Sequence, residues 1–277
     1  MRTWRFWRHF LVSSFAIVGG ISTILQSTNV LFPKADFYQG WTTLLISLGM
    51  ALLGGLAASW PRPISQEYNS PKTRIRVVEG DLLAEKDHLV IGTCDTFDTE
   101  PPTIIAKGSL QAQALDRLFG GDREELDRLL GDALADKASC GSIDKPGKTV
   151  KYGVGAIATI KHAGRLVFFL AYTEMDARNV ASGTIDGIWK GLGALWDEVS
   201  HRGNGRTICL PVIGGGQARL SSLLPAQDSI RFIILSFILA SRAKKVCDEL
   251  RIVVSPADYG KLDRLEIQSF LSSLRAS

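Results

Sequence analysis

Two apolar runs without a charged residue occupy most of the first sixty positions: Phe10 to Phe32, and Trp41 to Trp60. Each is about 20 residues long, the length a helix needs to cross a hydrocarbon core of roughly 30 Å. The link between them, Pro33 to Gly40, is short and turn-like. Two spans joined in this way make a helical hairpin whose ends share one side of the bilayer. Arg2, Arg5 and Arg8 precede the first run, and Arg62, Lys72, Arg74 and Arg76 follow the second, whereas the turn carries only Lys34 offset by Asp36. Excess Lys and Arg stays in the cytoplasm, so both termini are expected there, with two passes through the cell inner membrane. Trp4, Trp7 and Trp60 then mark the inner interface, and Phe37, Tyr38 and Trp41 the outer one. A cleaved signal peptide leaves the second run unexplained.

The faces of these two helices differ. Ser47, Ala51, Gly55 and Ser59 recur every four residues in the second run, a stripe that lets helix backbones approach closely. Gly19, Thr23, Gln26 and Ser27 share a face of the first. Either the two helices pack on each other through these faces, or several hairpins associate and line a polar path.

Everything after the second run reads as soluble. Pro61 to Lys72 is polar and rich in proline, and reads as a linker over 62–73. Beyond it, apolar strand patterns alternate with helical ones. Strands are expected at 74–78, 88–93, 153–160, 166–171, 207–211 and 250–254. Helices are expected at 109–119, 123–138, 182–199, 229–247 and 262–274. Such alternation implies an α/β domain over 74–277, with a mostly parallel sheet covered on both faces. Its continuous apolar strands, such as Ile208 to Leu210, suit central positions.

The net charge of +4 arises largely from residues flanking the apolar runs rather than from a basic tract, which argues against a nucleic-acid partner. The 4 Cys (Cys94, Cys140, Cys209 and Cys247) form no CxxC pair, and the 4 His show no metal-binding spacing. No metal site and no cofactor are expected, and the cysteines read as reduced thiols. No pairing of His or Cys with a supporting base stands out, so no catalytic residue is assigned.

Parallel sheets take ligands at the carboxyl ends of their strands, in the loops that follow. Three loops qualify: Val78 to Leu83, with Gly80, Asp81 and Leu82; Thr93 to Thr99, with Cys94, Asp95, Phe97 and Asp98; and Pro211 to Ala218, with Val212, Ile213, Gly214, Gly215, Gly216 and Gln217. Consecutive glycines let backbone N–H groups converge on an anion. Arg219, just beyond, either balances a diphosphate or is a solvated charge. Asp81 is also a good helix cap. Phe97 is either a stacking platform or a core residue, and Ser109 and Gln111 either reach a ligand or merely cap and cover a helix. Asp95 and Asp98 would repel a diphosphate unless they face a sugar hydroxyl or a cationic group.

Together the three loops resemble the macro domain family, over about Arg74 to Leu274. Gly80-Asp81-Leu82 matches the strand end whose Asp recognises an adenine amino group. Asp87 to Asp95 matches the strand leading to the distal-ribose loop, and Pro211 to Gly216 the diphosphate loop. The resemblance implies a three-layer α/β/α domain with a mixed sheet, binding an ADP-ribose derivative. Hydrolases of that family usually carry Asn-Ala-Ala-Asn in the second loop, where this chain has Thr93-Cys94-Asp95-Thr96-Phe97, so the resemblance supports binding rather than hydrolysis. That altered loop, the Ser109-Leu110-Gln111-Ala112-Gln113 helix start and the hairpin look like the transmembrane–macro effectors, ThsA-type, of Thoeris antiphage systems. This likeness implies a TIR-domain partner that consumes NAD to make the signal, a homo-oligomer, and a membrane part that damages the lipid bilayer. The alternatives are a membrane-tethered ADP-ribosyl hydrolase and an anchored reader of ADP-ribosylated proteins.

Overall fold

The computed structural model describes residues 4–31, 41–59, 63–214 and 224–275, and the chain divides into two compact units, Met1–Arg62 and Pro63–Ser277. The first unit is two helices, α1 (Trp4–Leu31) and α2 (Trp41–Ser59). Both are long and apolar enough to cross a membrane, over Phe10–Leu31 and Trp41–Ala58. They pack on each other through the small residues of α2. Ala51 is buried, and a Cβ on Gly55 would collide with Ser14 Oγ and lie 3.2 Å from the Phe10 carbonyl oxygen. Absence of side-chain bulk at Gly55 is therefore what brings α2 against α1. Gly19, Thr23, Gln26 and Ser27 lie on the exposed side of α1, where the Thr23 hydroxyl donates back to the Gly19 carbonyl at 2.9 Å. The first of the two readings of the stripe, packing within the hairpin, is the observed one for Ala51 and Gly55.

The second unit opens with a hairpin, β1 (Ile64–Asn69) and β2 (Lys72–Glu79). This overturns the expected linker over 62–73. Ile64, Gln66 and Tyr68 alternate inward while Glu67 and Asn69 point out. The Tyr68 hydroxyl donates to the Leu271 carbonyl at 2.7 Å, and Gln268 accepts from the Ser65 N–H at 3.0 Å. Proline-rich composition conceals a strand whose buried polar residue, Gln66, interrupts the apolar alternation.

A 3-10 turn (Leu82–Ala84) leads to β3 (His88–Cys94), then α3 (Leu110–Leu118) and α4 (Arg123–Leu134). A small antiparallel pair follows, β4 (Gly141–Ser142) with β5 (Val150–Lys151), before β6 (Ile157–His162), β7 (Arg165–Met175) and β8 (Ala181–Ser182). The chain closes through α5 (Ile185–Arg202), β9 (Ile208–Pro211), α6 (Ala226–Ala243), β10 (Glu249–Val254), α7 (Pro256–Tyr259) and α8 (Arg264–Ser273). The strand order is β1-β2-β10-β9-β3-β7-β6, with β8 on β7. From β2 to β7 the neighbours run parallel, and β1 and β6 are antiparallel edges.

Side-chain alternation sorts the sheet into two covered faces. Val90, Phe168, Leu170, Leu210 and Ile252 join α5 and α6 residues such as Leu192, Trp196, Ile234 and Phe237 in one core. Leu89, Ile91, Val167, Phe169 and Cys209 join Leu115, Leu126 and Leu130 of α3 and α4 in the other. Successive residues of a strand point to opposite faces, so runs apolar at every position must be covered on both sides. The result is the expected three-layer α/β/α domain with a mostly parallel mixed sheet. The expected strand at 153–160 starts only at Ile157, because Gly153 and Gly155 adopt φ +79° and +98°.

Candidate functional site

The three loops at the carboxyl ends of β2, β3 and β9 lie in different electrostatic settings. After β2, the Gly80 N–H donates to the Val254 carbonyl at 3.0 Å. Asp81 caps the 3-10 turn by accepting from the Leu83 N–H at 3.0 Å. Its second oxygen accepts from Arg117 of α3 at 2.6 Å, in a pair whose partners are both about half exposed. That guanidinium holds the Asp81 carboxyl below the usual range. Leu82, by contrast, is a core residue.

After β3 the loop turns inward. Asp95 is 1% exposed; it accepts from the Met175 N–H at 2.8 Å and pairs with Lys151 at 3.1 Å. Burial opposes the charge of Lys151, but the Asp95 carboxylate raises its pKa overall. Asp98 is as deeply buried and accepts from Lys145 at 2.8 Å, from the Lys148 N–H at 2.9 Å and from the Thr96 hydroxyl at 2.5 Å. Buried charges need such partners. Both carboxylates are thus occupied by protein cations, which corrects their expected place facing a ligand. Phe97 is corrected too: its ring is fully buried in the α3/α4 core, edge-on to Tyr152 at 5.8 Å between centroids. No local pattern in the sequence points to Lys145 or Lys151, because nothing ties a lysine to a carboxylate 47 or more residues away.

Thr93 and Cys94 remain at the opening. The Thr93 hydroxyl is buried and forms no hydrogen bond with any described residue. The Cys94 sulfur contacts the Thr96 hydroxyl at 3.3 Å, and burial pushes its thiol up, so it stays protonated near neutral pH and is a poor nucleophile. Ser109 caps α3 by accepting from the Ala112 N–H at 3.1 Å, and Gln111 donates to the Asp98 carbonyl at 2.5 Å. After β9, the Ser229 hydroxyl fixes the Ile213 carbonyl at 2.5 Å, and Gly214 takes φ +96°. The expected residues Gly215, Gly216, Gln217, Ala218 and Arg219 lie outside the described residues.

A cavity of about 640 Å³ brings much of this together. Thr93, Cys94, Ser109, Gln111, Val212 and Ile213 line it, joined by Gly92, Ile105, Tyr172 and Met175. The Asp81 turn is not part of this lining. Tyr172 escapes the sequence reading because the apolar pattern of β7 stops at Ala171; a strand running past that point places its next residues at the carboxyl end, where ligands bind. Elsewhere, Glu85, Asp87 and Cys209 come together as metal ligands could, but Arg251 pairs with Glu85 at 2.6 Å and Asp87 at 3.3 Å and already supplies the positive charge.

The family model described as "Thoeris protein ThsA, Macro domain" matches residues 75–255. Among solved structures, the Oceanobacillus iheyensis macrodomain with ADP is 12% identical, with a TM-score of 0.52 over 77% of this chain and 99% of that one. The same macrodomain with MES bound is 13% identical, with a TM-score of 0.50 over 76% and 99%. At such identities the likeness is one of fold. No curated protein matches the sequence.

Proposed function

The chain belongs to the Thoeris ThsA macro-domain family, and from that premise we propose that it is a membrane-anchored receptor for an ADP-ribose-type nucleotide. The observation that carries this reading is the length of the site. Asp81 follows β2 and the cavity reaches β7, four strands away across β10, β9 and β3. At about 4.8 Å per strand, that span is roughly 19 Å. An elongated ligand fits it, with a base at Asp81, a diphosphate at the glycine loop after β9 and a terminal sugar in the cavity. The solved macrodomain with ADP supports the nucleotide class.

Binding without turnover is favoured by the state of the candidate catalytic groups. Asp95 and Asp98 are tied to lysines, and the Cys94 thiol is held neutral. Neither a general base nor an activated nucleophile is left among the described residues of the second loop. The hydrolase reading is therefore the weaker one. In the receptor reading, a TIR-domain partner supplies the nucleotide, the termini are cytoplasmic, and the liganded domains rearrange an oligomer of hairpins so that the bilayer is breached.

Calorimetry of the 63–277 domain with ADP-ribose tests the binding step, and dye leakage from liposomes carrying the full chain tests the second. No heat with ADP-ribose removes the receptor reading. Steady release of ADP-ribose from a modified protein substrate replaces it with the hydrolase.

A further inference from the structure

Tyr172 occupies an unusual place in the sheet. Thr93 pairs with Ala171 and Cys94 with Thr173, so Tyr172 is the extra residue of a bulge between β3 and β7. Bulges re-aim a side chain at the rim of a sheet. Here the ring swings against β3, where Gly92 makes room: a Cβ on Gly92 would overlap the ring edge and lie 3.0 Å from Cδ1. Only glycine at position 92 allows the ring to sit there.

The ring forms a wall between two cavities. On one side is the 640 Å³ cavity already described, and on the other a cavity of about 490 Å³ lined by Glu174, Asp186 and Lys190 among others. The phenol forms no hydrogen bond with a described residue, and burial alone pushes it up to about 12. Tyr172 is only half-buried, so this unpaired hydroxyl lies open to a ligand in the cavity that the ring lines. The first cavity around it is lined by Leu170, Met175 and Ile213 and has no Lys or Arg among its described residues. That surface suits an uncharged polar group and not a phosphate.

We propose that Tyr172 is a specificity-determining residue, whose phenol hydrogen-bonds a hydroxyl of the terminal sugar of a nucleoside-diphosphate sugar. The inference rests on the nucleotide reading above and adds to it which side chain reads the terminal sugar. A nucleotide ending at its diphosphate would not reach Tyr172.

The test is calorimetry on the full-length protein in nanodiscs, with ADP-ribose and ADP as probes. Tyr172→Phe removes one hydroxyl and keeps the ring. It should weaken ADP-ribose about threefold to tenfold, the range for one neutral hydrogen bond, and leave ADP within twofold. Gly92→Ala, which must tilt the ring, should shift the two probes in the same unequal way. If the wild type binds ADP-ribose and Tyr172→Phe leaves the ratio of the two affinities unchanged, the role of Tyr172 is overturned while the nucleotide reading stands. If the wild type binds neither probe, both fall.

Discussion

Asp81 and Asp98 are both carboxylates in loops that follow parallel strands, yet they have opposite surroundings. Asp81 is half exposed and meets one surface arginine, Arg117, that is itself 43% exposed. Asp98 is 1% exposed and meets Lys145, whose side chain is fully buried, with the Lys148 N–H, the Thr96 hydroxyl and the Cys94 thiol as further donors. An exposed pair is worth little to the fold and is easily exchanged for a ligand. A buried pair has lost its water, and its members depend on each other. One carboxylate is thus available for recognition, while the other holds the loop that shapes the cavity. Position after a strand does not distinguish them; the partners do.

The largest expected effect breaks the buried side of that comparison. Asp98→Ala leaves Lys145 buried without a counter-charge, and truncating one member of such a pair costs about 3–5 kcal/mol. Chemical denaturation should show that loss, and ADP-ribose binding should fall with it because Thr96 and the cavity-lining Cys94 are held through the Asp98 carboxylate. A loss under about 1 kcal/mol, far below that range, would mean that Lys145 finds water or another partner. Next comes Asp81→Ala. It should remove about 1.5–3 kcal/mol of ADP-ribose binding, the range for a hydrogen bond to a charged group, and change stability little. Unchanged affinity would take Asp81 out of the site and undo the contrast.

The hairpin offers a third measurement. The Gly55 backbone lies against Ser14 and Phe10, so Gly55→Leu overpacks the contact between α1 and α2, at a cost of about 1–3 kcal/mol. Ligand affinity should be untouched, while liposome leakage on ligand addition should be lost. Normal leakage from this variant would separate hairpin packing from membrane action. In that event the exposed face of Gly19, Thr23, Gln26 and Ser27 becomes the surface to substitute.

The fold was largely legible because its signals are local. Charge-free runs give α1 and α2, and doubly apolar strands such as Ile208 to Leu210 give the central sheet. Ser109 marks the start of α3 by its own capping bond. Of the expected site residues, Thr93, Cys94, Ser109, Gln111, Val212 and Ile213 meet at one cavity because they lie at or near the carboxyl ends of β3 and β9, whereas the Asp81 turn is outside that lining. What failed depends on partners distant in sequence. β1 reads as a strand only against α8, through Tyr68 and Gln268. Asp95 and Asp98 read as ligand groups until Lys151 and Lys145 are seen beside them. Tyr172 acquires its place from a bulge and from the missing Cβ of Gly92, neither of which leaves a periodic trace.

The smallest effect separates the two ends of one strand. β3 ends at the cavity with Thr93 and Cys94 and begins, far from it, with His88. His88 is 4% exposed, and its Nδ1 accepts from the Leu166 N–H at 3.0 Å. An accepting nitrogen must be unprotonated, so the neutral ring is the form that fits. Burial, helped by nearby Arg206, holds its pKa below the ordinary value of 6.5. The folded chain therefore binds this proton less readily than the unfolded chain does. The contribution is fully present above about pH 6.5 and is lost as the pH falls through that value toward the lower folded one. Urea midpoints of the 63–277 domain measured between about pH 7.5 and 5.5, a window that spans the unfolded value, should fall with pH, and less steeply in His88→Gln, which keeps an acceptor but no titrating group. ADP-ribose affinity of the folded domain over the same range should not follow the His88 titration. Equal slopes in the two proteins would place the titrating group elsewhere, and an affinity that follows His88 would mean that the two ends of β3 are coupled.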